Sequence, residues 1–122
     1  MEKEFIPYEQ ALALKELGFD EQCLALYDLD GKITIEFVNW KNAKNRKSNY
    51  LIATPLYQQA FRWFREKYSY NGSVYPLTGK FSSQVYDIFN GCYITKIDLY
   101  KTHEEAELKC LKKLIEICSK LK

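Results

Sequence analysis

Histidine, methionine and any surplus of one charge are what this chain has least of. Its 122 residues hold one His, one Met, three Pro and five Gly, and 18 Lys plus Arg stand against 16 Asp plus Glu for a net charge of +2. A lone His103 excludes a multi-histidine zinc site and a paired-histidine proton shuttle. The near-balance of charge excludes the strongly basic signature of a dedicated polyanion binder. No window reaches the ~18 apolar residues that span a bilayer. The segment Met1 to Tyr8 carries Glu2, Glu4 and Pro7 where a signal peptide has basic and then apolar residues, so a cytoplasmic protein without membrane attachment is expected. The four cysteines, Cys23, Cys92, Cys110 and Cys118, include no C-x-x-C pair, and a chain of this length needs no covalent staple. Reduced thiols, packed as small core residues, are therefore expected.

Catalytic signatures are missing as well. There is no G-x-S-x-G, H-E-x-x-H, Walker or dinucleotide glycine pattern, and Thr78-Gly79-Lys80 falls far short of a phosphate loop. Asp28-x-Asp30-Gly31 imitates the middle of a calcium loop, but that frame puts Leu26 at the first ligand position and Phe37 where a bidentate Glu is required. It reads as a hairpin turn. Cys110 lies seven residues beyond His103 in an apolar stripe, which argues against a Cys-His nucleophile pair. The expectation is a non-enzymatic protein without a cofactor.

What is present is the stock of one ordinary globular domain over residues 1–122, 47% hydrophobic and 28% charged, with an unusual 16% of aromatics. A first helix is expected from Pro7 to Gly18, a residue suited to a left-handed cap, with Phe19 folding back on the last turn. Cys23 to Tyr27 and Ile33 to Val38 form a hairpin around the turn cluster Asp28 to Lys32. In the second helix Tyr57, Ala60, Phe61, Phe64 and Tyr68 make one apolar stripe, with Trp63 at its edge. Asn71-Gly72 and Thr78-Gly79 punctuate an irregular stretch with a short strand near Val74. Asn90-Gly91 predicts a type I′ turn that pairs Phe89 with Cys92 and Tyr86 with Thr95, laying Tyr86, Ile88, Tyr93, Ile97 and Leu99 on one buried face. Thr102, with Glu105 three residues on, opens the last helix in capping-box spacing. On it, Glu105 with Lys109 and Glu116 with Lys120 are spaced as i, i+4 pairs.

The expected order is α-β-β-α-β-β-α, an α+β fold with an antiparallel sheet of about four strands and helices packed on one face. Three segments echo one another: Tyr8-Glu9-Gln10-Ala11, Tyr57-Gln58-Gln59-Ala60 and His103-Glu104-Glu105-Ala106. The echo reads as shared first-turn chemistry, an acid or amide pair near a helix N-terminus. The candidate binding residues fall in two groups. Trp40, Lys41, Lys44, Arg46, Lys47 and Tyr50 form a basic loop flanked by aromatics, the pairing that single-stranded nucleic acid or a nucleotide requires. Arg62 and Trp63, with Tyr70, Tyr75 and Tyr100, are the residue types that anchor protein interfaces.

The segments Pro7 to Phe19, Tyr57 to Tyr68, Glu104 to Leu108 and Cys110 to Ile117 resemble a group of small uncharacterised proteins of gut anaerobic bacteria and of their phages and mobile elements. The resemblance covers the three helices, about a third of the chain, and carries over no activity, cofactor or catalytic residue. It implies a mobile-element setting in which small accessory proteins act by binding. The functional expectation is thus an interaction module whose partner is a protein or a second copy of the chain. The alternative is a nucleotide or single-stranded nucleic-acid binder using loop 40–50.

Overall fold

The structure, a computed structural model, describes residues 2–28, 30–38 and 52–121. The described chain is α+β with antiparallel strand pairing, as the residue pattern predicts, and packs as two compact units, Met1–Tyr57 and Gln58–Lys122. In the first unit, helix α1 (Tyr8–Glu16) follows a short 3-10 turn (Glu2–Glu4). It ends as expected: Gly18 takes a φ of 99°, its N–H donates to the Lys15 carbonyl, and the Phe19 N–H reaches back to Leu14 at 2.9 Å. That is the left-handed cap that glycine adopts without a Cβ penalty, and it turns Phe19 into the interior.

Strands β1 (Cys23–Tyr27) and β2 (Ile33–Val38) pair around a turn built by Asp28. One Asp28 carboxylate oxygen accepts from the N–H groups of Asp30 and Lys32, and Gly31 supplies a φ of 78°. This carboxylate is committed to an Asx turn. Strand β3 (Ile52–Thr54), not expected from the residue pattern as a sheet member, pairs with the other edge of β1, giving the order β2-β1-β3. Its burial is complete, and the fully buried Thr54 hydroxyl donates to the Ile6 carbonyl at 2.6 Å. The Tyr27 hydroxyl donates to the same oxygen at 2.9 Å, so both polar side chains are satisfied where they would otherwise cost a desolvation penalty.

The second unit holds most of α2 (Tyr57–Tyr68), a four-stranded sheet and α3 (His103–Ser119). The three echoed segments mark the first residues of the three helices, Tyr8, Tyr57 and His103. Thr102 caps α3 through a hydrogen bond to its Oγ1 from the Glu105 N–H at 3.1 Å. In the sheet, β4 (Tyr70–Leu77) and β5 (Lys80–Asp87) form a hairpin of two eight-residue strands where an irregular stretch is expected. Thr78 and Gly79 both take positive φ, 50° and 77°, the requirement of a type I′ turn. The far edge of β5 pairs with two short strands, β6 (Cys92–Tyr93) and β7 (Asp98–Tyr100). Between them the chain leaves the ladder, and the Thr95 side chain stands in for a backbone partner by accepting the Val85 N–H at 2.8 Å.

Alternation along β5 sorts this sheet into two faces. Phe81, Ser83 and Val85, in register with Val74, Gly72, Asp98 and Tyr100, face α3. Gly72 marks the closest approach. A Cβ there would lie 2.8 Å from Leu114 Cδ1, 2.9 Å from Cys110 Sγ and 3.4 Å from Phe61 Cδ1. The opposite face carries Ser82, Gln84 and Tyr86 on β5, with Tyr75, Tyr93 and Leu99 beside them.

Candidate functional site

The turn joining β5 to β6 differs from the type I′ expectation. Asp87, not Phe89, pairs with Cys92, and Tyr86 pairs with Tyr93, leaving Ile88, Phe89, Asn90 and Gly91 as a four-residue loop. The cause is the Asp87 carboxylate. One oxygen accepts the Asn90 backbone N–H at 3.1 Å, the other accepts the Asn90 side-chain amide at 2.7 Å, and the Gly91 N–H closes on the Asp87 carbonyl at 2.8 Å. Only Gly91 then needs a positive φ, 72°, while Asn90 does not take one. The backbone and side-chain hydrogen bonds from Asn90 hold the Asp87 carboxyl below its ordinary pKa, so the anion that fixes the turn is the form these bonds favour.

This locked turn holds Phe89 out of the protein. Phe89 is 87% exposed and Ile88 is exposed beside it, which corrects the expectation that Ile88 lines a buried face and that Phe89 is taken up by a strand. Tyr93, Ile97 and Leu99 are exposed as well, against the same expectation: α3 packs on the other face of the sheet, not on the face that Tyr93 and Leu99 share. On that face Tyr86 and Tyr93 meet edge to face at 5.0 Å, and the Tyr75 hydroxyl donates to Gln84 Oε1 at 2.7 Å. Aromatic rings, one of them anchored by a hydrogen bond, thus stand over small and polar residues at the sheet centre. Among side chains, such rings expose much apolar area with few rotors to freeze on contact.

Of the residues read as candidates, Trp40, Lys41, Lys44, Arg46, Lys47 and Tyr50 lie outside the described residues. Arg62 is exposed on α2, whereas Trp63, at 6% exposure, belongs to the interior. Trp63 packs edge-on against Phe64 at 5.0 Å and Tyr68 at 5.7 Å, with the Lys67 ammonium 5.0 Å from its ring centroid. The apolar face of α2 is one position wider than the stripe of Tyr57, Ala60, Phe61, Phe64 and Tyr68, and this is why Trp63 is absorbed. Sequence reasoning missed the exposed group Ile88, Phe89, Tyr93, Ile97 and Leu99 by counting hairpin alternation as burial. Its only advance signal was the pile-up of large apolar residues around Asn90-Gly91.

His103 Nδ1 lies 3.3 Å from Glu107 Oε1 on the α3 surface, and its ring meets Phe81 edge-on at 5.5 Å. Among the described residues no three His, Cys, Asp or Glu side chains gather as metal ligands, and no helix is long and apolar enough to cross a membrane. Three of the cysteines are buried as core residues, and burial pushes the thiols of Cys23 and Cys118 up to about 12 and that of Cys110 to about 11. Cys92 departs from the core expectation and is exposed at the start of β6. Titration of the native protein with a disulfide reagent near neutral pH is therefore expected to show one fast thiol of the four, with the rest reacting only on unfolding. Cys92→Ser should abolish the fast phase; a second fast thiol would contradict the burial of the other three.

No protein-family model, curated protein or solved structure matches this chain.

Proposed function

We propose that the protein is a non-enzymatic interaction module that engages a protein surface through the open face of its four-stranded sheet and the Phe89 turn. The observation that carries the reading is a large aromatic side chain held almost fully in water by a turn that two side-chain hydrogen bonds lock. A floppy loop would lose ordering entropy when it docks. This one has lost that freedom on folding, so burying Phe89 recovers more of the roughly 1.5–3 kcal/mol that full burial of such a side chain is worth. Tyr93, Ile97 and Leu99 extend the apolar surface beyond what a single exposed aromatic would supply.

The test is site-specific photocrosslinking in the native host, with a photoreactive phenylalanine analogue placed at position 89 or 93 and a control at 104 on α3. A discrete adduct from 89 and 93 that the control lacks supports the reading, and its mass tells a second copy of this chain from another protein. Phe89→Ser should remove the adduct formed at 93 while leaving the unfolding temperature unchanged, since an exposed side chain contributes little to folding. Equal adducts from all three positions, or an adduct at 93 indifferent to Phe89→Ser, would overturn it.

A further inference from the structure

On the helix-facing side of the same sheet, a cavity of about 500 Å³ opens between β5, the chain joining β6 to β7, and α3, and four lysines line it: Lys96, Lys109, Lys112 and Lys113. Three of them come from one side of α3, at i, i+3 and i+4, where like charges repel. The i, i+4 pairing of Glu116 with Lys120 forms at 3.3 Å, but the equally spaced pairing of Glu105 with Lys109 does not, and Lys109 lines the cavity instead. Lys96, Lys109 and Lys112 make no ion pair among the described residues.

The charges of the wall can be matched one by one. Among the lining residues Lys113 lies 3.7 Å from Glu116, and the one charge offsets the other. Asp98 is the other lining carboxylate and offsets one of the three remaining ammonium groups. The surplus of two matches a phosphate monoester, which carries about −1.5 to −2 at neutral pH. Thr95 also lines the cavity. Its oxygen is occupied as acceptor of the Val85 N–H, which leaves its own O–H to donate to an anion. The remaining wall is Ser83 together with Val85, Ile94 and Tyr100, and these last three give an apolar and aromatic surface of no use to a bare inorganic ion. The volume falls within the range of small-ligand sites, roughly 300–1,000 Å³.

We propose that this cavity binds a small organic phosphate, with the phosphoryl group held by Lys96, Lys109 and Lys112 and the organic part lying against Tyr100 and Ile94. The experiment is calorimetric titration of the full chain at low salt with AMP and, separately, with inorganic phosphate, each taken to about 10 mM, a weak but measurable affinity. AMP should bind more tightly than phosphate. The Lys109→Gln/Lys112→Gln double variant should weaken AMP by about tenfold or more, with a shallower salt dependence, and Tyr100→Leu should weaken AMP but not phosphate. Lys80→Gln, a charge removal outside the cavity, serves as the control and should change nothing. Absence of binding by both ligands, equal affinity for the two, or an equal loss in the Lys80 variant would each overturn the proposal. Because Phe89 plays no part in the cavity, none of these results bears on the interaction surface.

Discussion

Leu114→Ala is expected to destabilise the protein by about 2–5 kcal/mol, the range for emptying a well-packed leucine site. Leu114 is fully buried on α3, and Leu111, Cys110 and Cys118 around it on the same helix are buried to the same degree. Those neighbours cannot move in to fill the gap, because α3 is fixed against β4 where Gly72 meets Leu114 and Cys110. Since whole domains are stable by only about 5–15 kcal/mol, this one truncation should remove a large share of the total. Chemical denaturation read by tryptophan fluorescence checks it through the buried Trp63. A loss below about 1 kcal/mol would mean that the site collapses and that the packing is looser than described.

The opposite error of volume at the same contact should also be costly. Gly72→Ala adds one methyl group, and in a strand with ordinary backbone angles that exchange by itself would gain about 0.5–1 kcal/mol. The contacts decide otherwise. The new Cβ would lie 2.8 Å from Leu114 Cδ1 and 2.9 Å from Cys110 Sγ, inside any distance that carbon or sulfur tolerates, and both partners are themselves fully buried. Overpacking of this kind costs typically 1–3 kcal/mol, enough to reverse the backbone gain. The two predictions are coupled. Placed in the Leu114→Ala background, Gly72→Ala fills part of the space left by Cδ1, so the double variant should be more stable than the sum of the single losses by about 1 kcal/mol or more. Strict additivity would show that Gly72 and Leu114 are not in contact.

That same contact explains what could and could not be read from the residues. Helix α1 was legible because Gly18 names its own cap, α3 because Thr102 precedes it, and α2 because its stripe repeats at helical spacing. The hairpin of β1 and β2 was legible through Asp28 to Lys32. The longest strands, β4 and β5, were not, because they contain Asn71-Gly72-Ser73 and Ser82-Ser83-Gln84 where alternation calls for large apolar residues. Of these, Gly72 and Ser83 lie on the face toward α3, and Gly72 is the imprint of a helix lying close: where α3 and Phe61 press on it, a side chain of normal size has no room. A strand built to accept a helix at close range thus loses the pattern by which strands are recognised. Similarly, Asn90-Gly91 was legible as a turn but not as this turn, since the dipeptide says nothing of a carboxylate three residues earlier that competes for the same N–H. Of the candidate site, the residue types were in view and their exposure was not.

The Asp87–Asn90 pairing also ties the Phe89 turn to the chemical integrity of one amide. Asn-Gly is the dipeptide most prone to spontaneous deamidation, and Asn90 sits exposed at the tip of the hairpin with its amide nitrogen 2.7 Å from an Asp87 oxygen. Conversion of that amide to an acid removes the donor and sets a second carboxylate against the first, so the bond that held the turn becomes a repulsion. A chain so altered carries one more negative charge and a slackened Phe89 turn.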